Sequence, residues 1–258
     1  MNDNLYAEER KKSILEMINK KTRIQVSDLV EKFNVTGSTI RNDLRELEND
    51  RLIIRTHGGA IKKEYSRNTE TIPSLREFTT EKYEIADKAI HLIKNDDIIA
   101  IDTGTSCIAL AERLVQSDII NLTILTYDLE VALLLKDRED FEVQLLGGSM
   151  RKGYPYVWGN SVYQAIEDFS VDRSFIATTS FDVEYGFSTP DSKTATLKKS
   201  LIDIATEKII LCESIKINNR SFAKFASIHE FDYFITDSKI LNSEYKNIKN
   251  TGIKIMKV

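Results

Sequence analysis

Apolar positions near the start of the chain recur at helical spacing. Residues 6–20 predict a first helix, and its apolar side consists of Ile14, Leu15, Met17 and Ile18. Residues 22–26 predict a short extended segment. Residues 28–33 predict a second short helix with Ser27 as its N-cap, because a serine hydroxyl can accept a hydrogen bond from the first turn. Two helices in quick succession lead directly to the most informative segment of the chain.

A third helix is predicted to begin after Thr36, which is a suitable N-cap residue. Ile40, Leu44 and Leu47 follow at positions i, i+4 and i+7, which places them on one helical face. The other face carries Ser38, Arg41, Asn42 and Arg45. Arginine can contact guanine with two hydrogen bonds and asparagine can do the same with adenine, so this face is suited to contacting DNA. The alternative is an ordinary surface helix with a mixed polar side.

A predicted hairpin after this helix favours DNA binding over the alternative of an ordinary surface helix. Residues 52–55 are a short apolar run that ends in arginine, and residues 56–60, THGGA, can form a tight turn. Two short helices and a hairpin make a winged helix-turn-helix, with the helix-turn-helix at about 23–42 and the wing at 52–61. The residues predicted to contact DNA are Ser38, Thr39, Arg41, Asn42, Arg45, Arg55 and His57. Arg10, Lys11 and Lys12 are expected to be solvated, with phosphate contact as the alternative.

The pattern predicts a domain boundary after the wing. Residues 1–61 form the first predicted domain, and residues 62–73 are polar and without periodicity, which is typical of a linker. Residues 74–94 predict a helix that opens a second domain at 74–258. From residue 96 onward, short apolar strands alternate with helices. This alternation predicts an α/β domain with three layers, in which helices cover both faces of a largely parallel sheet.

Ligands of such sheets bind where the strands end, so the residues that follow each strand are the candidate site. After the first strand, residues 102–106 read Asp-Thr-Gly-Thr-Ser and lead into a helix. Gly104 permits close approach of the backbone, and the surrounding N–H and hydroxyl groups can hold an anion at a helix N-terminus. The alternative is a polar turn whose hydroxyls only cap the helix. The Gly-Lys-Ser/Thr ending of a Walker P-loop is missing.

Two further strand ends add candidate residues. Residues 147–153 contain a pair of glycines followed by two basic residues, and Lys216 follows a later strand. The basic side chains could offset the charge of an anionic ligand, although solvated surface residues are nearly as good an explanation. The complete set predicted to bind an effector is Asp102, Thr103, Gly104, Thr105, Ser106, Gly148, Arg151, Lys152 and Lys216.

The length and charge of the chain agree with this arrangement. The chain has 258 residues, enough for two domains, and a net charge of −4. Residues 1–67 contain 14 Lys and Arg against 11 Asp and Glu, a net charge of +3, which leaves −7 for the remainder. The mild excess of positive charge favours localised phosphate contacts by the first domain. The acidic remainder is expected to face away from DNA.

Composition also limits the location and the chemistry. The chain has no run of about 18 apolar residues and no secretory signal, so neither a membrane span nor export is expected. Cys107 and Cys212 lie far apart in apolar surroundings, which predicts buried free thiols in a cytoplasmic protein. The three histidines are dispersed, and no metal site or cofactor is predicted.

Residues 6–61 resemble the DNA-binding domain of the DeoR family of bacterial transcriptional regulators. The matching motifs are Val35-Thr36, residues 39–44, Leu47-Glu48 and residues 55–60. The family usually has Arg-Arg-Asp-Leu where this chain has Arg-Asn-Asp-Leu at residues 41–44, a departure that should alter base preference. It also usually has glycine before the wing, where this chain has Asp50-Arg51.

Residues 75–250 resemble the effector domain of the same family. The matching motifs are residues 102–106, 146–148, 175–177 and 186–188, together with Lys216. The resemblance implies a fold similar to ribose-5-phosphate isomerase and glucosamine-6-phosphate deaminase, with a phosphorylated sugar as the effector. The family commonly has Thr-Asn-Ser where this chain has Thr126-Tyr127-Asp128, and aspartate where it has Glu213. Either departure could change the sugar that is recognised or prevent ordinary sugar phosphates from binding.

The combined evidence predicts a transcriptional regulator, and in this family usually a repressor of carbohydrate-metabolism genes. It would bind a double-stranded DNA operator as a homo-oligomer, a dimer or tetramer, and a phosphorylated sugar would modulate it. A sugar-phosphate enzyme with an accessory DNA-binding domain is the first alternative, with Asp102, Asp182 and Glu213 as possible acids or bases. The second alternative is a DNA-binding oligomer that ignores metabolites.

Overall fold

The computed structural model describes residues 3–21, 23–49, 53–56, 58–62 and 79–258. The chain divides into two compact units, residues 1–66 and 67–258. Most of the predicted linker, residues 63–73, lies outside the described residues, and so does the start of the helix predicted at 74–94. The predicted domain limits therefore stay a prediction.

The described part of the N-terminal unit contains three helices and a three-stranded antiparallel sheet. In chain order these are α1 (Asp3–Lys21), β1 (Arg23–Gln25), α2 (Val26–Phe33), α3 (Gly37–Asn49), β2 (Ile53–Thr56) and β3 (Gly59–Lys62). The sheet has the order β1-β3-β2, so the predicted hairpin is present and its second strand also pairs with β1. Ile14 and Ile18 of α1, Leu29 of α2, and the apolar face of α3 form its core.

The prediction that Ser27 caps α2 is wrong. The helix begins one residue earlier, at Val26, and its N-cap is Gln25, which makes no side-chain capping hydrogen bond. Gln25 pairs with Gly59 in the sheet, and the N–H of Val26 donates to the carbonyl of Gly58 at 2.8 Å. Pairing with the hairpin therefore sets the start of α2, which a local capping argument could not anticipate.

The C-terminal unit alternates strands with helices, as the sequence predicts. Its helices are α4 (Thr80–Ile90), α5 (Thr105–Val115), α6 (Leu129–Leu135), α7 (Asn160–Glu167), α8 (Ser192–Asp203) and α9 (Asn242–Lys249). Its strands are β4 (Ile98–Ile101), β5 (Leu122–Thr126), β6 (Phe141–Leu145), β7 (Ser149–Met150), β8 (Val157–Trp158), β9 (Val171–Ala177), β10 (Ser180–Asp182), β11 (Gly186–Thr189), β12 (Ala205–Leu211), β13 (Ala223–Ala226), β14 (Tyr233–Thr236) and β15 (Lys254–Lys257).

Within residues 79–258, seven parallel strands form one sheet in the order β15-β14-β12-β9-β4-β5-β6. Successive side chains of a strand point to opposite faces, and the core divides accordingly. Ile99 and Ile101 pack with α4, α5 and α6, whereas Ala100 packs on the opposite side with α7, α8 and α9. The predicted three-layer α/β/α architecture is confirmed.

The order of the strands indicates where a crevice is expected at the edge of the sheet. The chain proceeds from β4 to β5 and β6 on one side, then returns through α7 to β9 on the other side of β4. Parallel sheets bind ligands at the carboxyl ends of strands beside such a reversal. The two-stranded ribbon β7-β8 and the small antiparallel sheet β10-β11-β13 were not predicted, because strands of two to four residues leave almost no periodic signal.

Candidate functional site

The start of α3 is fixed by its N-cap. Asn34 adopts a left-handed conformation with φ of 50°, which turns the chain sharply between α2 and α3. The hydroxyl oxygen of Thr36 then accepts a hydrogen bond from the N–H of Thr39 at 3.2 Å. The first turn of α3 contains no acidic residue, so the positive end of the helix remains favourable to a phosphate group.

The polar face of α3 is accessible to solvent. Its exposed side chains are Ser38, Arg41, Asn42 and Arg45, whereas Thr39 is half-buried. Asn42 and Arg45 already interact, because the Arg45 guanidinium donates to the Asn42 side-chain oxygen at 3.4 Å. Ile40, Leu44 and Leu47 are buried on the opposite face, as their spacing predicts. The helix therefore presents hydrogen-bonding groups outward on a firmly anchored body.

An ion pair between helices holds α3 in place. Arg10 of α1 donates to both carboxylate oxygens of the buried Asp43, at 2.6 and 3.0 Å. Lys11 pairs with Glu46 at 2.8 Å. The expectation that these two basic residues are solvated is wrong, because the acidic residues of α3 face α1. Arginine and carboxylate groups match in a two-bond geometry, which fixes orientation as well as distance.

Of the two residues of the wing that are predicted to contact DNA, one is described by the structure. Arg55 lies on β2, and its guanidinium is 3.4 Å from the carboxylate of Glu48 at the end of α3. The backbone N–H of Arg55 donates to the same carboxylate at 3.1 Å. Glu48 thereby joins the end of α3 to the wing. His57, the other predicted contact of the wing, lies outside the described residues.

In the C-terminal unit, the carboxyl end of β4 is organised by Asp102. This residue is completely buried. One of its carboxylate oxygens accepts from the Tyr127 hydroxyl, and the other accepts from the Ala177 N–H at 3.0 Å and from the Lys198 ammonium. The carboxylate therefore connects the ends of β4, β5 and β9 with helix α8.

Lys198 is a residue that the sequence analysis missed. It is buried on the inner side of α8, and its ammonium also donates to the Ala177 carbonyl at 3.0 Å. The sequence feature that could have identified Lys198 is its position between Leu197 and Leu201 on the buried side of the helix. A lysine on such an apolar face requires a buried acidic partner, and Asp102 is that partner.

The loop from β4 to α5 contains both occupied and unoccupied hydrogen-bonding groups. The Thr103 hydroxyl donates to Asp128, which itself caps α6 by accepting from two backbone N–H groups. Gly104 is the N-cap of α5 with φ of 126°, a conformation that favours glycine. Thr105 begins the helix and is half-buried. The Ser106 hydroxyl is buried and has no hydrogen-bond partner within the described protein, so it can serve a ligand.

Arg151 is held inside a group of aromatic residues. Its guanidinium donates to the Tyr156 hydroxyl and, at 2.9 Å, to the Thr194 hydroxyl. It also lies 4.4 Å from the ring centroid of Tyr154 and 5.3 Å from that of Trp158. The ring of Tyr156 meets that of Tyr127 edge to face at 6.0 Å. Arg151 is thereby linked to the end of β4 through two tyrosines.

Two buried tyrosines fill the space beside Asp102. Tyr127 and Tyr156 are both fully buried. Burial first, and then the charge and hydrogen bond of Asp102, raise the pKa of Tyr127 well above its ordinary value, so its hydroxyl stays protonated and donates. Gly148 packs close to β8, since a Cβ atom there would lie 2.7 Å from the Trp158 carbonyl oxygen. Lys152 is exposed.

Lys216 belongs to a separate cluster at the end of β12. Its ammonium is 2.9 Å from one oxygen of Glu213, while Lys82 of α4 lies 3.4 Å from the other oxygen. Burial would raise the pKa of Glu213, but the two lysines together outweigh it and hold this pKa below the ordinary value. The Thr79 hydroxyl also donates to Glu213 at 3.3 Å, so this carboxylate connects the start of α4 with the strand end.

The described part of the chain holds no group of three or more His, Cys, Asp or Glu side chains arranged to bind a metal ion. Cys107 and Cys212 are both free and buried. Burial raises the pKa of both thiols, which keeps them protonated. None of the helices within the described ranges is long and apolar enough to cross a membrane.

Both units match models of the same protein family. A model of the DeoR-like helix-turn-helix domain matches residues 10–65, and a model of the DeoR C-terminal sensor domain matches residues 77–238. The second match alone covers more than half of the chain. The chain belongs to the DeoR family. It is a helix-turn-helix transcriptional regulator in which a DNA-binding domain precedes an α/β sensor domain.

Individual relatives share this organisation over nearly their whole length. The uncharacterized HTH-type transcriptional regulator YulB of Bacillus subtilis is 32% identical over 252 residues, which cover 97% of this chain and 96% of the relative. The HTH-type transcriptional repressor GlcR of the same organism is 30% identical, with 90% and 89% covered. A D-ribose-5-phosphate isomerase in complex with phospho-erythronic acid matches 53% of this chain and 52% of its own at 16% identity, with a TM-score of 0.40.

The exposed face of α3 is the surface that the sequence predicts to contact DNA. The predicted effector residues are distributed over three places at the carboxyl edge of the sheet. Asp102 and Thr103 are engaged with protein groups, Arg151 is enclosed by aromatic rings, and Lys216 pairs with Glu213. The start of α5 is the place where hydrogen-bonding capacity remains. The individual roles of these residues stay predictions.

Proposed function

We propose that this DeoR-family regulator represses genes of carbohydrate metabolism and that a phosphorylated sugar bound to its sensor domain lowers its affinity for DNA. The name of the relative GlcR, a transcriptional repressor, supports repression as the mode of action. The location of the predicted effector residues at the carboxyl edge of a parallel sheet supports ligand binding by the second domain.

The observation that carries the effector part of the proposal is the first turn of α5. Gly104 is the N-cap of α5 and has a positive φ of 126°, and the helix that follows runs from Thr105 to Val115. The buried Ser106 hydroxyl has no protein partner, and an unpaired buried hydroxyl is costly unless a ligand or water satisfies it. A phosphate group fits this position, because helix N-termini bind anions through their free N–H groups.

A repressor of this kind is expected to act as a homo-oligomer, a dimer or tetramer, on a double-stranded operator. Two α3 helices on one face of the duplex would contact half-sites about 34 Å apart, or a multiple of that distance. The buried free thiols of Cys107 and Cys212 favour a reducing compartment, and we place the protein in the cytoplasm.

We further propose that the sensor domain is not an enzyme. The three carboxylates considered as acids or bases are each paired with a cation: Asp102 with Lys198, Asp182 with Arg220 at 2.9 Å, and Glu213 with Lys216. The ion pairs with Arg220 and with Lys216 and Lys82 outweigh burial and lower the pKa values of Asp182 and Glu213, which makes these two carboxylates poor proton acceptors at neutral pH. Turnover of pentose or hexose phosphates by the purified protein would contradict this part.

Fluorescence anisotropy on the regulator's own upstream DNA tests the main proposal. We expect tight, salt-sensitive binding that a mixture of pentose and hexose phosphates weakens. The double variant R41A/R45A should bind at least about tenfold more weakly, because each contact to a base edge contributes about 1–3 kcal/mol.

The matched control removes two positive charges elsewhere. Lys246 and Lys249 are exposed on α9 of the sensor domain, so K246A/K249A changes the net charge equally without touching α3. This control should bind DNA like the unchanged protein. Equal affinity of R41A/R45A and the control would remove α3 from the DNA interface. Tight DNA binding that no sugar phosphate affects would instead favour a metabolite-independent oligomer.

A further inference from the structure

A cavity of about 340 Å³ lies in the sensor domain between α7, α8 and the β7-β8 ribbon. Its walls include Ser149, Trp158, Asn160, Tyr163, Lys193 and Thr196. The volume is in the range of cavities that hold small-molecule ligands. None of the residues predicted to bind the effector is part of its wall, although Gly148 packs against the backbone of Trp158.

The cavity opens at the carboxyl edge of the sheet. Helix α7 leads into β9 and helix α8 leads into β12, so each helix ends near the start of a strand and begins at the opposite edge. Both first turns contribute to the cavity, through Gly159 and Asn160 of α7 and through Ser192 and Lys193 of α8. The N-cap of α7 is a glycine that makes no side-chain hydrogen bond to the first turn.

Among the residues that line the cavity, the charged one is Lys193. Lys193 is exposed, and its ammonium lies 4.1 Å from the ring centroid of Trp158, while the guanidinium of Arg151 lies 5.3 Å from the same ring. Among the described residues, none that lines the cavity carries a carboxylate. Asp191, next to Ser192, is already engaged with the N–H of Thr194 at 2.9 Å and lies 3.8 Å from Arg151. Two helix N-termini and a lysine in one cavity favour a negatively charged ligand.

The remaining wall is rich in hydroxyl and amide groups. The Thr196 hydroxyl donates to the Ser192 carbonyl at 3.1 Å, and the Tyr163 hydroxyl donates to the Lys193 carbonyl at 3.3 Å. The oxygens of both hydroxyls can therefore accept hydrogen bonds from a ligand. Ser149 and Asn160 supply further donors and acceptors. This combination matches a molecule that has several hydroxyl groups besides its negative charge.

We propose that this cavity is a second binding site of the sensor domain, separate from the start of α5, and that it takes a small anionic carbohydrate. Lys193 and the first turns of α7 and α8 hold the negative group, and the hydroxyl-rich wall contacts the sugar. The charge on the ligand can come from a phosphate or a carboxylate, since both are recognised by the same ammonium and N–H groups.

Trp158 lines the cavity and is the only tryptophan of the chain, so its emission reports binding there. Arg151 lies 5.3 Å from the same ring, and a variant of Lys193 distinguishes binding in the cavity from binding at Arg151. The full-length protein is titrated with glucose 6-phosphate, gluconate, inorganic phosphate and neutral glucose, while the tryptophan emission is recorded. We expect a saturable change with glucose 6-phosphate or gluconate, and an apparent affinity at least about tenfold weaker for glucose. A response to glucose 6-phosphate alone identifies a phosphate ligand, and a response to gluconate identifies a carboxylate ligand. Saturation by inorganic phosphate at equal affinity would overturn the carbohydrate part.

The variant K193Q should weaken the response at least about tenfold, because the cation next to Trp158 is lost. Lys199 lies on the same helix and is 55% exposed, so K199Q is the matched control and should leave the titration unchanged. An unaltered titration of K193Q, or no tryptophan response to any of the anions, would overturn the proposal. Release from operator DNA by sugar phosphates is measured separately, so failure of the cavity proposal is distinguishable from failure of the proposed function.

Discussion

Replacing Lys198 with methionine tests whether the buried ion pair is what holds the carboxyl ends of the strands together. The substitution keeps the length of an unbranched side chain and removes the charge. Asp102 would retain the Tyr127 hydroxyl and the Ala177 N–H as donors but would lose the Lys198 ammonium, its cationic partner. Since both side chains are almost inaccessible to water, no solvent replaces the ammonium.

The expected loss of stability follows from that environment. Removing one partner of a buried ion pair typically costs about 3–5 kcal/mol, because the other charge remains buried and uncompensated. The two remaining hydrogen bonds to Asp102 place K198M near the lower end, at about 3 kcal/mol. The double variant D102N/K198M contains no buried charge, and it should be at least about 1 kcal/mol more stable than K198M.

Urea unfolding followed by Trp158 emission measures this difference, because the single tryptophan belongs to the sensor domain. With a urea dependence of about 1–3 kcal/mol per molar, the midpoint of K198M should fall by at least about 1 M. The double variant should recover part of that fall. Equal midpoints for K198M and the unchanged protein, or a double variant less stable than K198M, would show that the ion pair does not stabilise this end of the sheet.

Two further outcomes follow from packing and charge. G148A should lower the free energy of unfolding by about 1–3 kcal/mol, since the new Cβ would lie 2.4 Å from Val162 and 2.7 Å from the Trp158 carbonyl. G147A is its control and should be near neutral, because nothing lies within 4 Å there; equal effects in urea unfolding would contradict the packing argument. A hydrogen bond from Lys239 holds the pKa of Glu81 at about 2, below its usual value. The stabilising contribution of Glu81 is therefore complete above about pH 4.5 and is lost as the pH falls towards 2. E81Q should therefore lose less stability than the unchanged protein between pH 5 and pH 2, and identical losses in thermal unfolding at both pH values would refute this.

Much of the fold follows from local patterns that tertiary structure does not alter. Ile40, Leu44 and Leu47 define the buried face of α3 by spacing alone, and Arg41, Asn42 and Arg45 between them are exposed. The alternation of short apolar strands with helices that is predicted from residue 96 onward is present in the C-terminal unit. The start of α2 was predicted incorrectly because pairing of β1 with the wing decides it, and that pairing involves residues more than 30 positions apart.

The candidate site was harder to predict, because its contacts join residues that are distant in sequence. Arg10 and Asp43 are 33 positions apart, and Asp102 and Lys198 are 96 apart. The sequence does not show which residue pairs with a lysine or arginine in a helix, so the partner becomes apparent only when the fold is known. Trp158 and Lys193 illustrate the same limit, since their approach depends on the ribbon and α8 meeting at one edge.

Tyr127 is a departure from the family motif that the fold accommodates in its interior. At the sequence level it is a departure at the expected pocket rim that could change the recognised sugar. In the structure its ring is fully buried and its hydroxyl donates to Asp102. Because burial and the Asp102 charge raise its pKa, Tyr127 remains a neutral donor and Asp102 remains occupied. The hydrogen-bonding groups left for a ligand at this strand end are therefore those that Asp102 and Tyr127 do not engage, such as the buried Ser106 hydroxyl of α5.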